Sequence, residues 1–190
     1  YWAMDLDHRW EPIAWAYAAL TGRRVKHPQM TSGMTVAHAN SAREAIERYY
    51  DHPADANRTG DEFITSTIIN DANGQPLPRI ADGDSVIFFN FRGDRPRQIT
   101  KAFVLDDDEW ANVTNGGFNR GEPVNNLYFC AMTGYEAGLP VSAIAFEKPP
   151  KMAGIPGEVV SEANLTQFRG EETEKFPHAT FFFNDYWEDP

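Results

Sequence analysis

The sequence predicts an α/β protein, a mixed sheet flanked by helices. Helical segments open at identifiable caps, short apolar runs of strand length lie between them, and the two kinds alternate along 190 residues. Hydrophobic residues make up 42% and aromatics 13%, enough for a packed core and too much for wholesale disorder.

Taken in order, Trp10, Ile13, Ala14, Tyr17 and Leu20 share one helical face, with Pro12 in the opening turn and Gly22 as a stop. SAREAIERYY begins with a capping box, Ser41 and Glu44, and predicts a second helix. PADANRTGDE (53–62) is loop by composition. Phe63 to Ile69 is rich in β-branched residues and predicts a strand, as does Val86 to Phe91, and the two are candidates to pair. Arg95 to Val104 predicts a helix, and Leu127 to Met132 and Val141 to Phe146 predict two more buried strands. Glu147 to Gly157 is rich in proline and glycine and marks a linker. Beyond it, Gly157 to Phe168 predicts a helix and His178 to Phe183 a hydrophobic strand.

Charge and cysteine content narrow the function classes. A net charge of −11 argues against nucleic-acid or anionic-membrane partners, both of which demand positive surface. The single cysteine, Cys130, sits in the apolar run LYFCAM. It excludes an internal disulfide, fits a reducing compartment and reads as core. No apolar run approaches the roughly 20 residues of a membrane span. The chain opens on Tyr1 rather than Met and reads as a piece of a longer protein.

Against this acidic background, VIFFNFRGDRPRQIT places Arg92, Arg95 and Arg97 where an apolar strand ends. Ligands of open α/β sheets collect beyond the carboxyl ends of strands, where loops lead into helix N-termini. Gly93 permits a bend there, and Asp94 is a candidate N-cap. Arg92 and Arg95, three apart, can converge on one carboxylate or phosphate with bidentate forks. The competing reading is that these arginines brace Asp82, Asp84 or Asp106 to Asp108 on the surface. His8, His27, His38 and His52 form no ligand spacing with acids on a common face, so no metal site is expected.

Three blocks resemble the 2,3-bisphosphoglycerate-independent phosphoglycerate mutases. FFNFRGDRPRQIT is similar to the family's NFR-x-DR-x-R-x-I/L-T, YWAMDLDHRWEPIAWAY to its YYAMDRDxRWxRVxxAY, and TQFRGEETEKFPHATFFFN to its TQLRIxETEKYxHVTFFFN. They occur in the family's order and span nearly the whole chain.

The resemblance implies the inserted phosphotransferase domain of an alkaline-phosphatase-superfamily enzyme. Residues 1–150 would be the second half of that domain, and 151–190 a linker and the return into the phosphatase domain. It implies interconversion of 3- and 2-phosphoglycerate without 2,3-bisphosphoglycerate, in a cytoplasmic and monomeric full-length enzyme. Two divalent metals, Mn2+ or Mg2+, would be bound outside this chain. Carried over by position, Arg92, Gly93, Asp94 and Arg95 are substrate-binding. Lys175 is both catalytic and substrate-binding, an ammonium beside the transferring phosphoryl group. Read without the resemblance, Lys175 forms an ordinary salt bridge to Glu171, Glu172 or Glu174.

Leu6 and Pro12 stand where the family has two substrate-binding arginines, and Asp185 and Tyr186 replace the glycines of its GGxE. These departures keep three rival readings in view: a catalytically impaired homologue or anion-binding module, a related metal-dependent phosphomutase or phosphatase with another substrate, and a structural module.

Overall fold

The structure is a computed structural model, and it describes residues 1–5, 7–30, 36–172 and 175–185. The chain divides into two compact units, Tyr1–Glu147 and Lys148–Pro190.

The first unit is built on parallel pairing. Strand β1 (Ala37–Ala39), helix α2 (Ala42–Asp51) and strand β2 (Thr67–Ile69) form one crossover, and β1 and β2 pair in parallel from Ala37↔Thr67 to Ala39↔Ile69. A second sheet orders β3 (Ser85–Phe88), β4 (Tyr128–Thr133) and β5 (Ala143–Phe146), again parallel throughout. Helices α3 (Arg97–Val104) and α4 (Asp107–Ala111) lie between β3 and β4 in the chain.

The α/β class is therefore as the sequence predicts, with three corrections of detail. β2 pairs with β1 and not with β3, because the crossover through α2 brings β2 alongside β1. Antiparallel contact, which a mixed sheet would carry in its ladders, is confined among the described residues to isolated bridges at Lys26–Asn119 and Asn70–Pro76. Phe63 closes a short 3-10 turn, Asp61–Phe63, so the strand begins four residues later than expected.

The core gathers on helix α1 (Trp10–Thr21), which buries Trp10, Ile13, Ala14 and Tyr17 against Ile99, Ala102 and Phe103 of α3 and Phe129 of β4. Trp10 and Trp110 meet edge to face at 5.1 Å between centroids, and Tyr17 packs on Phe103 at 4.9 Å. Gly22 ends α1 in the left-handed region at φ 69°, donating its N–H to Ala18 O. In α2, Ser41 accepts from the Glu44 N–H as the capping box requires, while Glu44 reaches back to the Asn40 N–H instead of the Ser41 N–H.

The end of α3 has a less expected device. Arg120, 2% exposed, donates to the carbonyls of Ala102 and Leu105 and pairs with Asp107 at 2.8 Å, satisfying carbonyls that a helix end leaves open. Cys130 is half-buried and unbridged, opposite Ile87 rather than inside the core.

In the second unit, α5 (Pro156–Glu162) opens with proline in its first turn and stops well before Phe168. His178–Phe182 is a single π-helical turn, not a strand. A short apolar run reads equally as strand or helix by periodicity, and Pro177, at φ −61°, sets the helical entry.

Candidate functional site

β3 ends at Phe88, and the chain then runs irregularly through Asn90 and Phe91 into a turn over residues 93–96 before α3 begins at Arg97. The Tyr135 hydroxyl closes this strand end, lying 2.9 Å from Phe88 O and 2.5 Å from Asn90 O. Burial raises the Tyr135 pKa and so keeps the phenol in its donating form. Arg97 braces the same turn from below, its Nε donating to Gly93 O at 3.0 Å and Tyr135 O at 2.9 Å.

On this support, Arg92 grips Asp94 with a fork, Nε to Oδ1 at 2.7 Å and Nη2 to Oδ2 at 2.7 Å. Asp94 Oδ1 also accepts the Arg95 N–H at 2.8 Å. Burial alone would raise the Asp94 pKa. The hydrogen bonds from Arg92 and the Arg95 backbone outweigh it and hold the carboxyl below its ordinary range. Arg95 swings to the other flank, Nη1 donating to Met4 O at 3.0 Å.

That bond ties the arginine turn to the YWAMDLD block. A second link joins Gln98 Oε1, on α3, to the His8 N–H at 3.0 Å. Asp5, whose side chain is 1% exposed, organises the block itself, accepting from the Asp7 and Arg9 N–H groups and from Arg9 Nε at 2.7 Å. Two segments some ninety positions apart in sequence, each carrying a motif, thus share one hydrogen-bonded frame.

Two expectations about the turn are corrected. Asp94 is not the N-cap of α3. That position is Pro96, with no side-chain cap bond, because Asp94 lies two residues too early and is engaged by Arg92. Gly93 is not required by the bend. It lies outside the left-handed region, and a Cβ there would meet only Gly134 O at 3.8 Å and Tyr135 Cα at 3.9 Å, ordinary contact distances. Among the described residues these arginines form no ion pair with Asp82, Asp84 or Asp106 to Asp108: Asp82 pairs with Arg23, Asp84 accepts the Ala81 N–H, Asp107 pairs with Arg120, and Asp106 caps α4.

Lys175 belongs to the second unit. Its ammonium pairs with Glu172 at 2.5 Å, and that hydrogen bond and charge hold the Glu172 carboxyl below its usual range. Nearby in the same unit, Arg169 donates to Gln167 Oε1, Ala179 O and Asn184 Oδ1 and lies 4.6 Å from the Phe183 ring. It fastens the TQFR segment to the π-helical turn.

Sequence reasoning missed Asp5, Tyr135, Arg97 and Arg169 as supports. Asp5 had a signal, an aspartate repeated in MDLD beside an arginine; Tyr135 had none. Leu6, Glu174 and Tyr186, named above for their departures from the family pattern or as a partner of Lys175, lie outside the described residues. Pro12 is buried in the first turn of α1 and offers no hydrogen-bond donor to a ligand. Among the described residues, no three His, Cys, Asp or Glu side chains come together as a group that could hold a divalent metal.

Comparison with known proteins gives a consistent picture. The family model described as BPG-independent PGAM N-terminus matches residues 1–137. The 2,3-bisphosphoglycerate-independent phosphoglycerate mutase of Rhodopirellula baltica is 50% identical over 190 residues, 100% of this chain and 33% of that protein. The enzyme of the same description from Clostridium beijerinckii is 42% identical, over 97% of this chain and 31% of its own length. A crystal structure of Leishmania mexicana phosphoglycerate mutase at low cobalt concentration superposes with a TM-score of 0.67 at 28% identity, covering 99% of this chain and 30% of that one. The chain therefore spans about a third of the length of the curated relatives it matches.

Proposed function

The chain belongs to the BPG-independent PGAM N-terminus family, and on that premise we propose that it supplies the substrate-gripping part of a phosphoglycerate mutase. In this reading Arg92 and Arg95 hold the phosphate and carboxylate of 3- or 2-phosphoglycerate, with Gly93 and Asp94 shaping the turn between them. Residues 1–150 are the second half of an inserted phosphotransferase domain, and 151–190 lead back into a phosphatase domain. The full-length enzyme is a cytoplasmic monomer that draws two divalent metals and a phosphoryl-accepting serine from outside this chain.

The observation that carries the reading is the partial commitment of both guanidinium groups. Each has five N–H donors. Among the described residues, Arg92 spends Nε and Nη2 on Asp94 and keeps Nη1, and Arg95 spends Nη1 on Met4 O and keeps Nε and Nη2. The internal bonds fix the geometry, and the remaining donors are offered to a ligand without further ordering of the side chains. The division of the chain after Glu147 supports the domain assignment. No helix among the described residues is long and apolar enough to cross a membrane.

The chemistry of this reading is phosphoryl transfer between the two hydroxyls of the glycerate. Arg92 and Arg95 orient the glycerate so that its 2- and 3-hydroxyls present alternately to the transferring phosphoryl group. Lys175, released from Glu172, donates to the phosphoryl oxygens as charge grows on them. Its bond to Glu172 is mostly solvent-exposed and so easily exchanged.

The test is 3-phosphoglycerate binding and turnover in the full-length enzyme. Arg92→Ala and Arg95→Ala should each weaken binding by roughly 1.5–3 kcal/mol, the scale for a charged hydrogen-bond partner. Lysine at either position should restore only part of this, since an ammonium cannot form the fork. Wild-type affinity and turnover in both alanine variants would reduce the arginines to braces of the Asp94 turn.

A further inference from the structure

A second set of cations lies elsewhere in the first unit. Arg23, Arg24, Lys26 and Arg79 line one cavity of about 440 Å³, whose apolar wall includes Trp15 of α1 and Ile68 of β2. No acidic side chain among the described residues lines it. Arg23 is accounted for: it pairs with Asp82 at 2.6 Å and donates to Glu122 O at 2.7 Å. Arg24, Lys26 and Arg79 form no ion pair or side-chain hydrogen bond among the described residues.

Three uncompensated charges around one cavity repel each other, and the chain has acid to spare, at −11 net, yet none of the described acids lines this cavity. The local backbone favours the crowding. Gly22, in the left-handed region, leaves room for Arg79: a Cβ at Gly22 would fall 2.5 Å from the Arg79 Cζ. The left-handed turn that ends α1 thus also admits a guanidinium to the cavity wall.

We propose that this cavity binds a small phosphorylated organic metabolite, at a site separate from the arginine turn at residues 92–97. Arg24 and Arg79 take the phosphate by bidentate contact and Lys26 adds a point charge. Trp15 and Ile68 receive the carbon skeleton, so phosphate supplies the affinity and the apolar wall the preference among phosphorylated compounds. The cavity volume falls within the usual range for small-ligand sites. Arg23, held by Asp82, stays outside the anion-binding set.

The experiment is a nuclear magnetic resonance titration of the intact protein with inorganic pyrophosphate at low salt. Binding is read at the Trp15 indole N–H and the Lys26 amide, with the Arg92 Nε–H followed as the reporter of the other site. A saturable shift at Trp15 and Lys26 is expected, with a dissociation constant of about 1 mM or below. The double variant Arg24→Gln/Arg79→Gln should weaken it at least about tenfold, and Arg92→Gln/Arg95→Gln should leave it unchanged. Glycerol phosphate should bind more tightly than inorganic phosphate at the same reporters, through the apolar wall. Both replaced pairs are exposed and should leave the fold intact, which the amide spectrum itself checks.

No saturable shift up to about 10 mM would overturn the proposal, as would a shift that survives Arg24→Gln/Arg79→Gln or vanishes with Arg92→Gln/Arg95→Gln. Because the two reporters are separate, failure at Trp15 leaves the phosphoglycerate reading standing, and failure at Arg92 leaves this one.

Discussion

The two faces of the β3–β4–β5 sheet are made of similar residues and live in different surroundings. On one face Val86, Phe88 and Phe129 meet the core built on α1 and α3, and Ala131 shares that face, with Phe129 2% and Ala131 0% exposed. On the other, Ile87 is 70% and Tyr128 54% exposed, and Phe89 continues the row past the strand end. Parallel sheets are ordinarily covered on both faces, and their strands then read as continuous apolar runs. VIFF and LYFCAM have that composition, yet only every second residue contributes to the core of the first unit. Apolar character in the sequence states what a residue is suited to; burial decides what it contributes to stability.

The largest test of the contrast is a matched pair of substitutions. Phe129→Ala should destabilise the chain by about 3–5 kcal/mol in urea unfolding, the scale for truncating a buried aromatic. Ile87→Thr, which keeps β-branching, should stay within about 0.5 kcal/mol. Equal losses would mean that the open face carries packing energy within this chain.

The same contrast separates two carboxylates. Asp5 is buried to 1% side-chain exposure and accepts three N–H donors, whereas Asp94 keeps 14% and faces an arginine that is itself 64% exposed. Asp5→Ala should lose roughly 1.5–3 kcal/mol, because three donors of its own loop lose a charged acceptor that is itself buried. It should also disorder the loop that presents Met4 O to Arg95, visible as a changed Arg95 Nη signal. Loss of stability with an unchanged Arg95 signal would separate the two blocks.

Legibility in the sequence followed locality. Helix α1, with its 3.6-residue stripe and Gly22 stop, and α2, with Ser41 and Glu44, were readable because their signals lie within a few residues. The NFRGDR turn was readable for the same reason. Strand partnership was not: β2 and β3 are neighbours in sequence, and only the path through α2 places β2 beside β1. Nor was the Arg95–Met4 bond, which spans 91 positions. HATFF was misread because a short run of β-formers fits a strand or a helical turn equally by pattern, and Pro177 sets the helical entry. Pro96 at the cap of α3 displaced the expected Asp94 because a side chain two residues upstream found a stronger partner in Arg92.

A pH titration sharpens the carboxylate comparison further. The folded Asp94 pKa is depressed, so its contribution to stability is fully present above the unfolded carboxylate pKa and is lost as pH falls through the folded one. Between neutral pH and the ordinary carboxylate range the Arg92–Asp94 fork should hold, and below that range the Arg92 Nε–H signal should broaden into exchange with solvent. The loss of global stability should be small, since the Arg92 side is largely solvent-exposed. An Arg92 signal unchanged through acid pH would mean that the turn is held without the Asp94 charge.

The smallest expected effect belongs to Gly93→Ala. The glycine sits in the middle of the motif, and glycine in such a turn suggests a backbone that only glycine can adopt. Its φ lies outside the left-handed region, and the space open to a methyl is bounded by Gly134 O and Tyr135 Cα at ordinary contact distance. Alanine should therefore change stability by no more than about 0.5–1 kcal/mol, in the stabilising direction, by restricting the unfolded chain. Arg97 donates to the Gly93 carbonyl, a group that alanine retains, so the brace beneath the turn survives. If Gly93→Ala left stability intact and still weakened phosphoglycerate binding in the full-length enzyme, the glycine would be kept for close approach of the ligand. A loss of stability above about 1 kcal/mol would instead show strain in the turn.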